Sequence, residues 1–228
     1  MYKVPSTALI LVYKPPRIGI GKQRIAKTTT ARFAFDVAKR LCQCALEDLT
    51  HWNGARILAP SETHPDSMGG IDRTDFDLII PQGSGTLGQR IMGIDAQVRD
   101  WGATKNVYIG MDCPQLSPEA YQWLWDTLQY NDYCFIRAQD GGVVAMAAAK
   151  PWPDISQLAW SQDTLGNTLI AACHAESGST CCCYPLTLND IDTETDVTRL
   201  LIQLKSDNRP ARRELLSFVA ESSLLHSH

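Results

Sequence analysis

A loop rich in glycine and positive charge follows the first apolar run of the chain. The run Ala8–Tyr13 is short, and it leads directly into residues 14–24, which carry two glycines and four cationic side chains. Glycine lets the backbone approach a ligand closely, whereas backbone amides, lysine and arginine bind phosphate oxygens. The loop is therefore predicted to bind an anionic ligand.

A second glycine-rich loop, residues 81–90, lies between an apolar run and a helix-length segment. Gly83, Gly85 and Gly88 have the spacing G-x-G-x-x-G, in the strand-to-helix context that a dinucleotide-binding site requires. Asp112 lies downstream, near the distance expected for an acid that binds the ribose. Two interpretations stay open, an NAD(P)-dependent oxidoreductase that uses these glycines and a turn that permits tight strand–helix packing.

Aspartates follow the later apolar runs and are candidate metal ligands. Asp112, two residues after the run 106–110, is either a hard oxygen ligand for a Mg²⁺ that also binds phosphates or a cap for the following turn. Asp140 begins an Asp-Gly-Gly sequence between two apolar runs, which is typical of a tight turn. Asp190 and Asp192 lie on one side of an extended segment by alternation, so either is a candidate second ligand.

The elements that must position these loops alternate between apolar strands and amphipathic helices. This alternation predicts an α/β layered fold with a mostly parallel sheet, in which ligands bind beyond the carboxyl ends of the strands. The 228 residues suit one domain, residues 1–228. The predicted strands are Ala8–Tyr13, Ala55–Ala59, Phe76–Ile80, Asn106–Gly110, Asp132–Ile136 and Val143–Ala147, and the predicted helices include Thr28–Leu49, Leu87–Trp101, Ser117–Gln129 and Val197–Lys205.

Charge and cysteine content narrow the classes of partner. The formal net charge is -4, yet residues 1–40 hold nine Lys/Arg side chains against one acid, Asp36. A cationic patch on an acidic protein favours a small anionic ligand over nucleic acid. No apolar run approaches the roughly 20 residues that span a bilayer, so we expect no membrane span and a cytoplasmic location. The eight cysteines lack C-x-x-C spacing, which favours reduced, buried thiols over a metal site.

The order of these loops resembles the DUF2064 family, which is described as glycosyltransferase-A-like and as a transferase associated with radical-SAM/selenodomain proteins. The resemblance spans nearly the whole chain. Its motifs here are residues 14–26 against K-x-P-x-x-G-x-x-K-T-R-L-A, 82–90 against Q-x-G-D-L-G-x-R, 110–114 against G-x-D-C-P, 140–142 against E-D-G-G and 190–193 against D-x-D-T.

The resemblance implies a nucleotide-diphospho-sugar transferase fold, a three-layer α/β/α domain with a mixed, mostly parallel central sheet. It implies a Mg²⁺ (or Mn²⁺) cofactor, a nucleotide triphosphate or nucleotide sugar as substrate, and an acceptor that the sequence does not identify. Lys22, Asp112 and Asp140 are the implied catalytic residues, and Asp112, Asp190 and Asp192 are the candidate metal ligands. The implied nucleotide-binding residues are Lys14, Gly19, Lys22, Arg24, Gln82, Gly83, Gly85 and Arg90.

Three residues depart from the family pattern. Gln23 replaces a threonine, Thr86 replaces an aspartate, and Gln139 replaces a glutamate. The loss of two carboxylates motivates a third hypothesis, a nucleotide-binding protein without catalysis, beside the transferase and the oxidoreductase. Selectivity for the acceptor is expected to lie in the loops Ser61–Thr74 and Trp152–Thr168.

Overall fold

The computed structural model of the protein describes residues 5–62, 71–160 and 162–225, and a seven-stranded sheet runs through them. Residues 63–70 of the loop expected at Ser61–Thr74 lie outside this description. The strands are β1 (Thr7–Tyr13), β2 (Ala55–Pro60), β3 (Leu78–Ile79), β4 (Lys105–Ile109), β5 (Tyr133–Arg137), β6 (Val143–Ala148) and β7 (Cys181–Cys183). Their order in the sheet is β3-β2-β1-β4-β6-β5-β7.

Helices cover both faces of this sheet. The helices are α1 (Gln23–Thr28), α2 (Ala31–Thr50), α3 (Leu87–Trp101), α4 (Pro118–Thr127), α5 (Leu165–Ala175), α6 (Glu194–Gln203) and α7 (Pro210–Leu225). Apolar side chains of α2 and α4 pack on one face, and those of α3 and α5 pack on the other. A third apolar cluster joins the outer side of α2 to α1, α6 and α7.

The predicted fold class, a three-layer α/β/α fold with a mixed, mostly parallel sheet, is confirmed. Within the described strands only β6 runs antiparallel to its neighbours, β4 and β5. The central strand β1 is apolar after Thr7 and almost fully buried, because helices cover it on both sides. The tight turn predicted at Asp140 is also confirmed, since it joins β5 to β6 as a hairpin.

Two strands differ from the prediction for local reasons. The run Phe76–Ile80 forms only the two-residue β3, because it pairs with β2 alone at the edge of the sheet. Strand β7 was not predicted, since it consists of three cysteines flanked by polar residues. Within the described residues, no helix combines the length and the apolar character that are needed to cross a membrane.

The topology brings the chemically interesting loops to one edge. The chain proceeds outward from β1 to β2 and β3 on one side, and β4 lies on the other side of β1. This reversal of strand order opens a crevice above the carboxyl ends of β1 and β4. The loops that follow Tyr13 and Ile109 therefore meet there.

A buried ion cluster behind this edge joins α7 to α2. The Arg212 guanidinium is completely buried and lies 2.6 Å from Asp48 Oδ2 and 3.0 Å from Glu47 Oε2. Its Nε donates a 3.2 Å hydrogen bond to the carbonyl of Pro114, two residues after Asp112. The C-terminal helix therefore supports the loop that carries Asp112.

Replacing Arg212 with methionine is expected to lower the free energy of unfolding by about 3–5 kcal/mol, because it removes the buried cation that pairs with Glu47 and Asp48 and leaves Arg209 as the remaining partner of Asp48. Arg213→Met is the matched control, since Arg213 is exposed on the same helix. Urea-induced unfolding measures both. A loss for Arg212→Met no larger than that for Arg213→Met would contradict a stabilising role for the cluster.

Candidate active site

A cleft of about 810 Å³ opens at the carboxyl edge of the sheet. Its floor and walls come from the ends of β1 and β4, the start of β6, the first turn of α3 and the segment before α6. Of the residues predicted from the sequence, Lys14, Arg24, Gln82, Arg90, Asp112, Asp140, Asp190 and Asp192 line this cleft.

Lys22 lies in a smaller pocket of about 220 Å³ beside the cleft. The two pockets share Lys14, Met111, Asp112 and Asp192 in their walls. Gly19, Gly83 and Gly85 line neither pocket. These three glycines shape their loops through positive φ angles of 77°, 74° and 101°.

The Lys22 ammonium joins the first loop to two of the predicted metal ligands. Its Nζ lies 2.7 Å from Asp112 Oδ1 and 3.0 Å from Asp192 Oδ1, and only 6% of the side chain is exposed. Arg24 Nη1 lies 3.8 Å from the other oxygen of Asp192. Residues far apart in the sequence thus form one charged cluster.

The backbone at Lys22 is unusual for a residue with a side chain. Its φ of 47° lies in the left-handed region, and it directly follows Gly21 at φ 77°. Such a conformation is disfavoured for non-glycine residues and is often found at functional sites. The ion pairs with the two aspartates help to hold it.

The charges of the cluster shift the protonation equilibria of its members. Burial alone would lower the pKa of Lys22, but the carboxylates of Asp112 and Asp192 outweigh it and raise that pKa. Burial, followed by the carboxylates of Asp112 and Asp140, raises the pKa of Asp190 to about 7. The cleft end of the cluster therefore concentrates negative charge and favours a further cation.

The loops that carry the aspartates are joined by hydrogen bonds. The Asp112 carbonyl accepts a 2.9 Å hydrogen bond from the Ile191 amide. The side-chain oxygen of Gln115 accepts a 2.8 Å hydrogen bond from the Asn189 amide. Asp112 is thereby held at a fixed distance from Asp190 and Asp192.

The first loop is closed by its own side chains. Gln23, which departs from the family pattern, donates from Nε2 to the carbonyls of Gly19 and Gly21 at 2.9 and 3.2 Å. Arg17 pairs with Glu62 at 2.5 Å, and this cation of the loop does not line the cleft. Although Gln23 departs from the family pattern, its two hydrogen bonds therefore stabilise the conformation of this loop.

Gln82 is held in one orientation at the end of the cleft. Its side chain is buried, and its Nε2 donates to the carbonyls of Tyr13 and Ala59 at 3.0 and 2.7 Å. Because the amide nitrogen is fully used by the backbone, the oxygen remains as the atom available to a ligand.

The G-x-G-x-x-G loop serves to pack a helix. Thr86 and Gln89 form a reciprocal capping box at the start of α3, and the Thr86 hydroxyl donates to the Ser156 carbonyl at 2.9 Å. A Cβ at Gly88 would lie 2.1 Å from the Ile155 carbonyl oxygen. This face of the helix is thus covered by the segment 155–160, which gives no support to the NAD(P) alternative.

Sequence motifs did not identify one wall of the cleft. Trp160, Gln162, Asp163 and Leu165 line it and belong to the loop Trp152–Thr168, where acceptor selectivity was expected. Gly141 approaches the backbone of Asp163 so closely that a Cβ there would lie 1.8 Å from its carbonyl oxygen. The Asp-Gly-Gly turn is a signal for this close approach, although the sequence does not show its partner.

The donor set of the cluster suits a hard divalent cation. Carboxylate oxygens are the ligands that Mg²⁺ and Mn²⁺ prefer, and Mg²⁺ needs only one or two of them beside water and phosphate. The Lys22 ammonium is a stand-in cation on Asp112 and Asp192. No group of three or more His, Cys, Asp or Glu side chains within the described residues is arranged to hold a metal ion.

Five of the eight cysteines are buried, and burial raises the pKa of Cys42 and Cys44 to about 12.

Comparison with known proteins gives a family and a fold. The family model described as "Uncharacterized protein conserved in bacteria (DUF2064)" matches residues 46–162. No curated protein sequence matches the chain.

Solved structures share the architecture at low sequence identity. A "putative nucleotide-diphospho-sugar transferase" from Desulfovibrio desulfuricans G20 is 20% identical with a TM-score of 0.83, and the alignment covers 97% of each chain. A cytidylyltransferase from Leptospira borgpetersenii is 13% identical with a TM-score of 0.57, covering 96% of this chain and 95% of that one. Rv0371c from Mycobacterium tuberculosis H37Rv, solved in complex with manganese, is 18% identical with a TM-score of 0.52, covering 88% and 100%. These likenesses establish a nucleotide-diphospho-sugar transferase fold.

Gly88→Ala is expected to destabilise the protein by about 1–3 kcal/mol, because the new methyl group would force Ile155 and Trp160 away from α3. The matched control is Gly93→Ala on the same helix, where a Cβ meets nothing within 4 Å. That change is expected to be neutral or stabilising by up to about 1 kcal/mol. Thermal unfolding compares the two, and equal effects would contradict the packing role of Gly88.

Proposed function

The chain belongs to the DUF2064 family, and we propose that it is a Mg²⁺-dependent nucleotidyl- or glycosyltransferase acting on a nucleoside triphosphate or nucleotide sugar. The observation that carries the proposal is the cluster in which Lys22 Nζ lies 2.7 Å from Asp112 and 3.0 Å from Asp192. A lysine beside carboxylates, at the edge of a cleft, is suited to a polyphosphate and its divalent counter-ion. Mn²⁺ would satisfy the same ligands.

The fold supports this class of substrate. Ligands of open α/β sheets bind where the strand order reverses, and the cluster lies at that position between β1 and β4. The similar structures include a cytidylyltransferase and a protein bound to manganese. For this chain, the nucleotide and the metal are our proposal.

Cations on one side of the cleft would bind the phosphates. The Lys22 ammonium donates a hydrogen bond to Asp192 and forms an ion pair with Asp112, and Lys14 and Arg24 line the cleft beside it. Because Arg24 is 77% exposed, a ligand can reach its guanidinium without displacing other side chains. These groups would orient the phosphate chain and stabilise the charge that develops on the leaving group.

Asp112 would hold the divalent ion, with Asp192 or Asp190 as the second carboxylate. When bound, the ion supplies a Lewis acid that neutralises negative charge on the phosphates. The hydrogen bond from Ile191 to the Asp112 carbonyl keeps the two acidic loops together, so the carboxylates need little reorganisation on binding.

The acceptor would attack directly. In a nucleotidyl transfer, an acceptor oxygen forms the new bond to the α-phosphorus and pyrophosphate leaves. In a glycosyl transfer, the acceptor bonds to the sugar and nucleoside diphosphate leaves. Asp140 lines the cleft and would orient the acceptor or accept its proton. Its own Oδ1 accepts a 3.0 Å hydrogen bond from Gly142, which fixes the carboxylate.

The alternative is a protein that binds a nucleotide without catalysis. It is favoured by Thr86 and Gln139, which replace two carboxylates of the family pattern. Thr86 caps α3, and the backbone N–H of Gln139 donates a hydrogen bond to the Leu188 carbonyl. Neither supplies a carboxylate to the cleft. Release of pyrophosphate or nucleoside diphosphate distinguishes a transferase from a binding protein.

A thermal-shift panel with GTP, CTP, UDP-sugars and NAD(H), each with and without Mg²⁺ or Mn²⁺, tests the proposal. A nucleotide at about 100 times its Kd adds roughly 2.7 kcal/mol of stability, which raises the Tm by about 5–10 °C in a protein of this size. We expect such a shift with at least one nucleotide, and only when the metal is present. A metal-independent shift with NAD(H) alone would contradict the proposal.

Lys22→Met and Asp112→Asn are expected to weaken metal–nucleotide binding at least tenfold, because each removes a charge that contacts the phosphates or the ion. Lys39→Met is the matched control, since Lys39 is exposed on α2 away from the cleft. Titration calorimetry with the nucleotide found in the panel measures all three. Unchanged affinity in both cleft variants would refute the assignment.

A further inference from the structure

The Lys22 ammonium occupies carboxylate oxygens that a divalent cation would use, and the inference drawn from this overlap rests on the proposed function. Asp112 and Asp192 have four carboxylate oxygens between them. Asp112 Oδ1 and Asp192 Oδ1 face Lys22, and Asp192 Oδ2 faces Arg24. Only Asp112 Oδ2 makes no ion pair among the described contacts.

We infer that Lys22 and a divalent metal ion compete for Asp112 and Asp192. Free metal ion therefore binds weakly, because it has to displace an ammonium that already neutralises the pair. A polyphosphate removes this barrier, since it offers the ammonium another anionic partner and supplies oxygen ligands to the metal. The metal is consequently bound tightly only together with the nucleotide.

The positions of the two pockets make this exchange a side-chain movement. Lys22 lines the pocket of about 220 Å³, and Asp112 and Asp192 form the boundary between that pocket and the cleft of about 810 Å³. A phosphate bound at this boundary would attract the ammonium away from the carboxylates through a movement of the Lys22 side chain alone. The aspartates themselves stay fixed, because their loops are joined through Ile191 and Gln115.

The burial of the ammonium explains why the nucleotide is needed. With 6% of its side chain exposed, Lys22 has little contact with water in its present position. Displacement by a metal ion alone would leave a buried cation without its counter-ions, which is unfavourable. Since binding free energies are reciprocal, a nucleotide that draws Lys22 away increases metal affinity, and the metal increases nucleotide affinity by the same factor.

Binding of Mn²⁺ alone, followed by the loss of the electron paramagnetic resonance signal of the free ion, tests the competition without a nucleotide. We expect wild type to bind Mn²⁺ weakly and Lys22→Met to bind it at least tenfold more tightly, a difference of about 1.4 kcal/mol. Lys22→Gly is the second variant. Glycine readily adopts the φ of 47° at this position, so the loop is expected to keep its conformation.

Lys14→Met is the matched control for the general effect of removing a positive charge. Lys14 lines both pockets but makes no ion pair with either aspartate in the described contacts. We expect its effect on Mn²⁺ affinity to stay below threefold. Adding Asp112→Asn to Lys22→Met should abolish the gain, which locates the ion at Asp112.

The competition is overturned if the Lys22 variants bind Mn²⁺ no more tightly than wild type or than Lys14→Met. Its failure is distinct from failure of the proposed function. Metal-dependent nucleotide binding with no gain in the Lys22 variants would retain the transferase and refute the competition. A gain in Mn²⁺ affinity without any nucleotide binding would support the competition of Lys22 and the metal for the carboxylates. It would refute the proposal that the protein binds a nucleotide.

Discussion

The ion pairs of Lys22 with Asp112 and Asp192 are the constraint on which the site depends. They connect a loop after β1 to a loop after β4 and to the segment before α6. Lys22 is almost fully buried and its backbone has a positive φ, so both its position and its charge require the two carboxylates. The same contacts bring the cation of the first loop to the aspartates, where we propose that phosphates bind.

The rest of the molecule fixes this cluster from behind. The central strands β1 and β4 are covered on both faces, and their adjacent carboxyl ends set the separation of the two loops. Arg212 supports the Asp112 loop through the Pro114 carbonyl, and its carboxylate partners lie on α2. The C-terminal helix is thus part of the scaffold that holds the cluster in place.

Local patterns predicted much of the architecture and only part of the site. The strand-like runs, the strong helix Leu87–Trp101 and the turn at Asp140 depend on apolar periodicity and on turn residues, which the sequence displays directly. That Lys22 pairs with Asp112 and Asp192 depends on strand order, which periodicity does not encode. The packing of Gly88 could not be predicted from local sequence either, because its close neighbour, Ile155, is 67 positions later in the chain.

We propose that a nucleotide polyphosphate and a divalent ion bind at the Lys22 cluster. A crystal structure with Mn²⁺ and the nucleotide selected by the binding panel, with an anomalous difference map recorded at the manganese edge, tests it most directly. We expect a manganese peak within coordination distance of the Asp112 carboxylate and phosphate oxygens within hydrogen-bond distance of the Lys22 ammonium. A nucleotide and manganese bound elsewhere, with the Lys22 ion pairs unchanged, would contradict it.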